Sequence, residues 1–154
     1  MMTHASKVIS CLRGKTLATA ESCTGGGIGS ALTAVSGASA VYKGGIVSYC
    51  NEIKQKLLRV PAEVLAREGA VSAPVATAMA AGARKALDTD IAVSVTGLAG
   101  PGGDEFGNPV GTVFIGYADE QGALARHFLF EGDREAVRRQ AIRKALDLIL
   151  EQNK

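Results

Sequence analysis

Tryptophan is absent from this chain, histidine is scarce, and neither sign of charge is in large surplus. Of its 154 residues two are histidine and none is tryptophan. His4 falls in an expected N-terminal helix and His127 on an expected strand, so neither a zinc site nor a Ser-His-Asp triad is expected. Lys and Arg number 17 against 15 Asp and Glu. With no long basic run and no interleaving of aromatic and basic residues, nucleic acid is not an expected partner. Cysteine is scarce and odd in number (Cys11, Cys23 and Cys50), and no C-x-x-C spacing occurs. No apolar run approaches the length that crosses a membrane or serves as a secretory signal. These absences point to a cytoplasmic protein with reduced thiols and no membrane partner. The length fits a single domain over 1–154 that buries a core without disulfides or metal.

Glycine, by contrast, is plentiful, and it clusters. The stretch Ala20 to Gly29, A-E-S-C-T-G-G-G-I-G, follows a short buried strand (Thr16 to Thr19) and runs into Ile28, Ala31, Leu32 and Val35 at helical spacing. A glycine loop at a helix N-terminus offers backbone amides to a phosphate or an oxyanion. The plainer reading is that Thr24 caps the helix and the glycines let it pack closely on a sheet. The loop matches neither G-x-G-x-x-G nor the P-loop lysine pattern, so motif supports neither a dinucleotide fold nor an NTPase.

A second glycine loop, T-G-L-A-G-P-G-G-D from Thr96, follows the strand Ile91 to Val95. Loops at the carboxyl ends of parallel strands gather at one edge of an open α/β sheet, which puts both glycine loops on one site. The rest reads as a helix from Ala5 to Leu12, a strand region from Val41 to Tyr49 in which Gly44-Gly45 suggest a bulge or the close approach of a ligand or another backbone, and a short helix capped by Asn51 that holds Ile53, Leu57 and Leu58. Pro61 fits the first turn of the next helix. A long helix from Ser72 to Leu87 turns Val75, Met79, Gly82 and Ala86 to one face. Val110 to Tyr117 and Ala123 to Phe130 form an antiparallel pair across a turn. A final helix runs from Asp133 to Glu151, with Val137, Ala141, Ile142, Ala145, Leu148 and Ile149 inward.

Without a well-placed histidine, a hydrolytic reading needs another base. Lysine serves if it is held neutral, and Ser39 to Lys54 supplies serine, tyrosine and lysine together. In the first turn of the helix after Asn51, the positive end of the dipole disfavours the Lys54 ammonium and lowers its pKa, as a general base requires. Tyr49 could relay a proton or orient the serine. The plainer account makes Lys54 a solvated lysine and Tyr49 a rim residue; Lys43 and Lys56 remain alternatives. Cys23 and Ser22 are rival nucleophiles, each with a packing or loop role as its alternative. Glu21 could be a base, a loop anchor or a ribose contact. Arg134 opens the last helix, where a cation is misplaced unless an anion such as a substrate phosphate lies near. Of Arg138 and Arg139, one is expected to face solvent.

In order along the chain, A-E-S-C-T-G-G, Y-K-G-G-I-V-S-Y-C-N-E-I-K, G-A-V-S, V-S-V-T-G-L-A-G-P-G-G, P-V-G-T-V and G-D-R-E-A-V-R-R-Q-A resemble the C-terminal domain family of the competence/damage-inducible protein CinA. The resemblance runs from about Leu17 to Leu150. It implies a three-layer α/β/α fold with a mixed, mostly parallel sheet of about five strands. It implies hydrolysis of the carboxamide of nicotinamide mononucleotide, a small-molecule substrate, to nicotinic acid mononucleotide and ammonia, with no metal or organic cofactor and with a homo-oligomeric assembly. Ser39 then corresponds to the proposed catalytic serine, with Tyr49 and Lys54 as its partners. Ser22, Thr24, Gly25 and Gly26 in one loop, Thr96, Gly97, Ala99 and Gly100 in the other, and Arg134 are placed around the substrate. Longer CinA proteins carry an additional N-terminal domain with its own nucleotide chemistry, which is not expected here. The competing readings are a non-catalytic mononucleotide-binding module and an amidase for a related nicotinamide nucleotide.

Overall fold

The computed structural model describes residues 2–154 and places a five-stranded mixed sheet between two layers of helices, the expected α/β/α arrangement. In chain order the elements are α1 (His4–Cys11), β1 (Leu17–Glu21), α2 (Gly27–Thr33), β2 (Tyr42–Val47), α3 (Asn51–Leu58), α4 (Ala62–Glu68), α5 (Ala73–Leu87), β3 (Ile91–Gly97), β4 (Thr112–Asp119), β5 (Gly122–Leu129) and α6 (Arg134–Gln152). The strand order is β2-β1-β3-β4-β5. Strands β2, β1 and β3 are parallel, and the β3–β4 and β4–β5 pairs are antiparallel, so only β4 runs against the rest. The register slips between Leu17 and Ala18 opposite Tyr42 and Gly44, which is the bulge that the paired glycines foreshadow.

Alternation along the central strands sorts the core. Leu17, Ile91, Val93 and Val95 face the layer of α1, α2 and α6, while Ala18, Ala20 and Ala92 face α5. The α5 face of the sheet is built from small residues because α5 lies across all five strands. Ser94 donates its hydroxyl to the Ala76 carbonyl at 2.6 Å. A side chain on Gly116, which pairs with Ser94, would overlap that same carbonyl.

Helix α5 begins as its sequence predicts. The Ser72 hydroxyl accepts from the Val75 amide at 3.4 Å, and proline occupies the first turn. Its buried face is Val75, Ala76, Met79, Ala80 and Ala83. Ala86, expected inward, is exposed. Gly82 sits against the Leu58 carbonyl of α3, so α5 presents its small residues to two neighbours and its face is turned from the one its periodicity suggests. Pro61 is the residue before α4 rather than within its first turn.

Candidate active site

Parallel pairing of β1 with both β2 and β3 brings three strand ends together, since Glu21 pairs with Val47 on one side and Val95 on the other. The two glycine loops therefore do meet at one edge, joined by the β2–α3 connection. Between them lies a cleft of about 300 Å³ whose lining includes Ser22, Cys23, Tyr49, Lys54, Thr96, Gly97, Ala99, Gly100 and Arg134.

Lys54 is the least ordinary residue there. It is 2% exposed, and its ammonium nitrogen donates to Ser22 Oγ at 3.0 Å and to the Ser48 carbonyl at 2.9 Å. Helix α3 turns Lys54 and Leu58 inward and leaves Leu57 47% exposed. Burial holds the Lys54 pKa below the ordinary lysine value, opposed by the nearby Cys50 and Cys23. The direction is the one expected from the helix dipole, but the main cause is desolvation. Asn51 is not the cap: it is the first helical residue, and Cys50 precedes the helix without a side-chain capping bond.

Ser22 is placed by the strand and by the carboxylate beside it. Its amide donates to the Val95 carbonyl at 3.0 Å. Glu21, 2% exposed, accepts from Thr24 Oγ1 at 2.6 Å, from the Ile28 amide at 2.8 Å and from the Gly29 amide at 3.0 Å. Of the three roles open to Glu21, the loop anchor is the one the geometry supports, because its oxygens cap α2 and turn away from the cleft's ligand space. Thr24 is not the cap residue. That position belongs to Gly26, whose φ of 103° follows a φ of 58° at Gly25. Consecutive left-handed residues reverse the chain between Ser22 and α2, a path that side chains strain. Burial pushes the Cys23 thiol up to about 11, which disfavours the thiolate that a nucleophilic cysteine needs.

Ser39 is not brought to Lys54. It lies in the turn of 3₁₀ helix before β2 and is exposed, with its carbonyl accepting from Lys43 Nζ at 3.3 Å. Lys54 instead follows the far end of β2, a strand that spans roughly 20 Å at about 3.3 Å per residue. A serine before the strand and a lysine after it face opposite edges of the sheet. The hydroxyl that meets Lys54 is Ser22, which had been one of the rivals.

The remaining expected residues are gathered at the cleft in differing ways. Tyr49 is 63% exposed and accepts from Arg134 Nη2 at 3.1 Å, with no hydrogen bond to Ser22 or Lys54. Arg134 Nη1 also donates to the Gly100 carbonyl at 2.7 Å, so its guanidinium spans the mouth from one loop to the other. Thr96 is buried with its hydroxyl on the Ala70 carbonyl at 2.8 Å. Gly97 closes against Val113, and Ala99 is buried beside it. Thr24, Gly25 and Gly26 shape the loop behind Ser22 without lining the cleft themselves. Arg138, which nothing in the local pattern separated from Arg139, reaches the loop from α6. Among the described residues no three or more His, Cys, Asp or Glu side chains gather to hold a metal ion. Among the described residues no helix is long and apolar enough to cross a membrane.

Comparison with known proteins adds an independent line. A family described as the CinA C-terminal domain matches residues 2–153. A CinA-like protein of Synechococcus sp. RCC307 is 53% identical over 139 residues, 89% of this chain and 33% of that protein. The chain thus spans about a third of the length of such curated relatives. The nicotinamide-nucleotide amidohydrolase PncC of Escherichia coli K12 is 48% identical over 141 residues, 91% of this chain and 86% of that one. Among solved structures, the competence/damage inducible protein CihA of Agrobacterium tumefaciens superposes with a TM-score of 0.94 at 38% identity, covering 98% of this chain and 94% of that one. A CinA superfamily protein of Enterobacter cloacae gives 0.95 at 34%, covering 100% and 94%.

Proposed function

The chain belongs to the CinA C-terminal domain family, and from that membership and the geometry of its cleft we propose that it is an amidohydrolase. Its substrate is nicotinamide mononucleotide, which it converts to nicotinic acid mononucleotide and ammonia. The relative that supports the reaction class is the Escherichia coli amidohydrolase, which this chain matches over most of its length. The observation that carries the mechanism is the 3.0 Å contact between the buried Lys54 amine and Ser22 Oγ.

Neutral Lys54 keeps one hydrogen on the Ser48 carbonyl and turns its lone pair to the Ser22 hydroxyl. Ser22 Oγ attacks the carboxamide carbon as its proton passes to Lys54 Nζ. The carbon–nitrogen bond then breaks, and Lys54 returns that proton to the departing nitrogen, which leaves as ammonia. Water attacks the acyl-serine, gives a proton to Lys54, and releases the carboxylic acid while the proton returns to Ser22. Burial assists twice: it keeps the amine unprotonated more readily than in water, and it excludes competing solvent. Arg134 and the Thr96 to Gly100 loop lie at the mouth, where a substrate phosphate would replace the Tyr49 and Gly100 oxygens as partner of the guanidinium.

The test is ammonia and nicotinic acid mononucleotide release from nicotinamide mononucleotide by the wild type, with Ser22→Ala, Ser39→Ala and Lys54→Met in parallel. Activity in the wild type and in Ser39→Ala, with loss in the other two, supports the assignment. Loss in Ser39→Ala with retention in Ser22→Ala would return the nucleophile to Ser39 and sink it. Nucleotide binding without turnover by the folded wild type would favour a binding module.

A further inference from the structure

The two glycine loops of the cleft are each tied to a neighbouring segment. The loop after Ser22 is held from α6, where Arg138 Nε donates to the Cys23 carbonyl at 3.0 Å and its Nη2 to the Thr24 carbonyl at 3.1 Å. The longer connection from β3 to β4 contributes Gly100 and Gly102 to the cleft lining, and Ala70 and Val71, between α4 and α5, contribute to it as well. Its glycines at 100, 102, 103 and 107 give this connection little stiffness of its own.

Its root is fixed by Thr96, whose hydroxyl is on the Ala70 carbonyl. Its tip is fixed by a different device. Asp104 Oδ1 accepts from the Phe106 amide at 3.1 Å and the Asn108 amide at 2.9 Å, and Asp104 Oδ2 accepts from Asn108 Nδ2 at 2.8 Å. The same Nδ2 donates to the Val71 carbonyl at 3.2 Å. Among the described residues this is the only hydrogen bond from residues 101–108 to another segment. One amide nitrogen thus uses its two hydrogens to close the turn and to tie it to a segment that lines the cleft. The Phe106 ring adds a contact on Gly69, where a side chain would overlap it.

We infer that Asn108 is a positioning residue for the substrate cleft: by joining the Asp104 turn to the Val71 carbonyl it holds Gly100 and Gly102 at a fixed spacing from Ala70 and Val71, and so sets the affinity for the nucleotide. This rests on the reading of the cleft as the substrate site. Asn108 itself is not among the lining residues. Ser22 and Lys54 stand on other segments, so substrate and transition state lose the support of the wall equally when the tie is cut.

Two variants of the full chain test it, Asn108→Ala and the exchanged pair Asp104→Asn with Asn108→Asp. The exchange keeps an amide-to-carboxylate hydrogen bond inside the turn but sets a carboxylate against the Val71 carbonyl, so only the tie is lost. Amide hydrogen exchange should quicken about tenfold across residues 98–108 in both variants and stay unchanged around Ser22 and Lys54. With nicotinamide mononucleotide as substrate, KM should rise about tenfold in both while kcat stays within about threefold of wild type. Unchanged exchange in the loop overturns the inference whatever the substrate. An exchanged pair with wild-type KM also overturns it, because the turn and not the tie would then decide affinity. A kcat that falls along with the rise in KM, or protection lost across the whole sheet, makes Asn108 a general structural residue and overturns it too. If the wild type leaves the nucleotide intact while both variants loosen the loop, the substrate reading fails and the holding role stands.

Discussion

Glu21→Gln is the substitution whose cost follows most directly from the geometry. The carboxylate receives three hydrogens, from Thr24 Oγ1, the Ile28 amide and the Gly29 amide, and is 2% exposed. A glutamine has the same shape but only one acceptor oxygen. If that oxygen serves Thr24 and Ile28, the amide nitrogen faces the Gly29 N–H. If it is flipped to serve Gly29, the nitrogen faces two donors. The better arrangement still leaves a buried amide unmet, at roughly 1–3 kcal/mol, and removes charge assistance from the other two bonds. The favourable carboxylate at the N-terminus of α2 is lost as well, about 0.5 kcal/mol. Against these stands relief from burying a charge, so a net loss of about 3 kcal/mol is reasonable. For a chain of 154 residues that lowers Tm by roughly 6–12 °C. Chemical denaturation read by circular dichroism gives the free energy, and a thermal scan gives the shift. Because the same carboxylate anchors the Ser22 loop, kcat should fall even where the variant remains folded. Stability within about 1 kcal/mol of wild type, with unchanged kcat, would refute the account of Glu21 as the anchor.

Lys54→Met removes a cation that the fold has buried, and the sign of its effect depends on pH. The folded pKa lies below the ordinary lysine value, so the folded state binds fewer protons than the unfolded one between those two values, and the penalty grows as pH falls through that window. The variant should therefore gain stability over wild type progressively below pH 10.5, levelling off below the folded pKa, while its activity is lost; denaturant titrations at several pH values read this, and a pH-independent difference would contradict it. In the wild type, kcat/KM should rise with pH through an apparent pKa lower than that of an exposed lysine, and a flat profile would remove Lys54 as the base. Gly82→Ala should destabilise by about 1–3 kcal/mol despite alanine's better helix propensity, because the added carbon meets the Leu58 carbonyl. The displaced α3 carries Lys54, so kcat should drop with it; a stabilised, fully active variant would show that α3 and α5 have room to spare.

The fold was largely legible because its signals are local and repetitive. The alternation in Ile91 to Val95, the helical spacing in the last segment and the proline in the first turn of α5 each act over a few residues, and the elements form within one or two residues of expectation. Even the convergence of the glycine loops followed from a general property of parallel strands. What local signals leave open is of another kind. The pattern held Lys54 between a base of lowered pKa and a solvated surface lysine, and α3 buries it where its nitrogen donates to the Ser22 hydroxyl and the Ser48 carbonyl. Only tertiary partners make that burial affordable, and they come from β1 and the end of β2.

The same limit explains why Ser39 drew attention and Ser22 was left as a rival. The family resemblance pointed to Ser39, which also shares a short segment with Lys54 and is separated from it by a single strand. Traversing one strand, however, carries the chain to the opposite edge of the sheet, so a residue before β2 and a residue after it are kept apart by the very element that links them. Ser22 lies much farther from Lys54 in sequence but follows β1, the parallel neighbour of β2, and parallel neighbours end together. For any site at the carboxyl edge of such a sheet, the residues to weigh are those just after each strand. By that criterion Ser22 and Tyr49 qualify, Thr96 sits at the end of β3 beside them, and Ser39 does not qualify. Arg138 escapes even this rule, because it reaches the edge from a helix packed beneath the loop. What could have pointed to it is its four-residue spacing from Arg134, which sets both arginines on the same side of α6 at the end nearest the site.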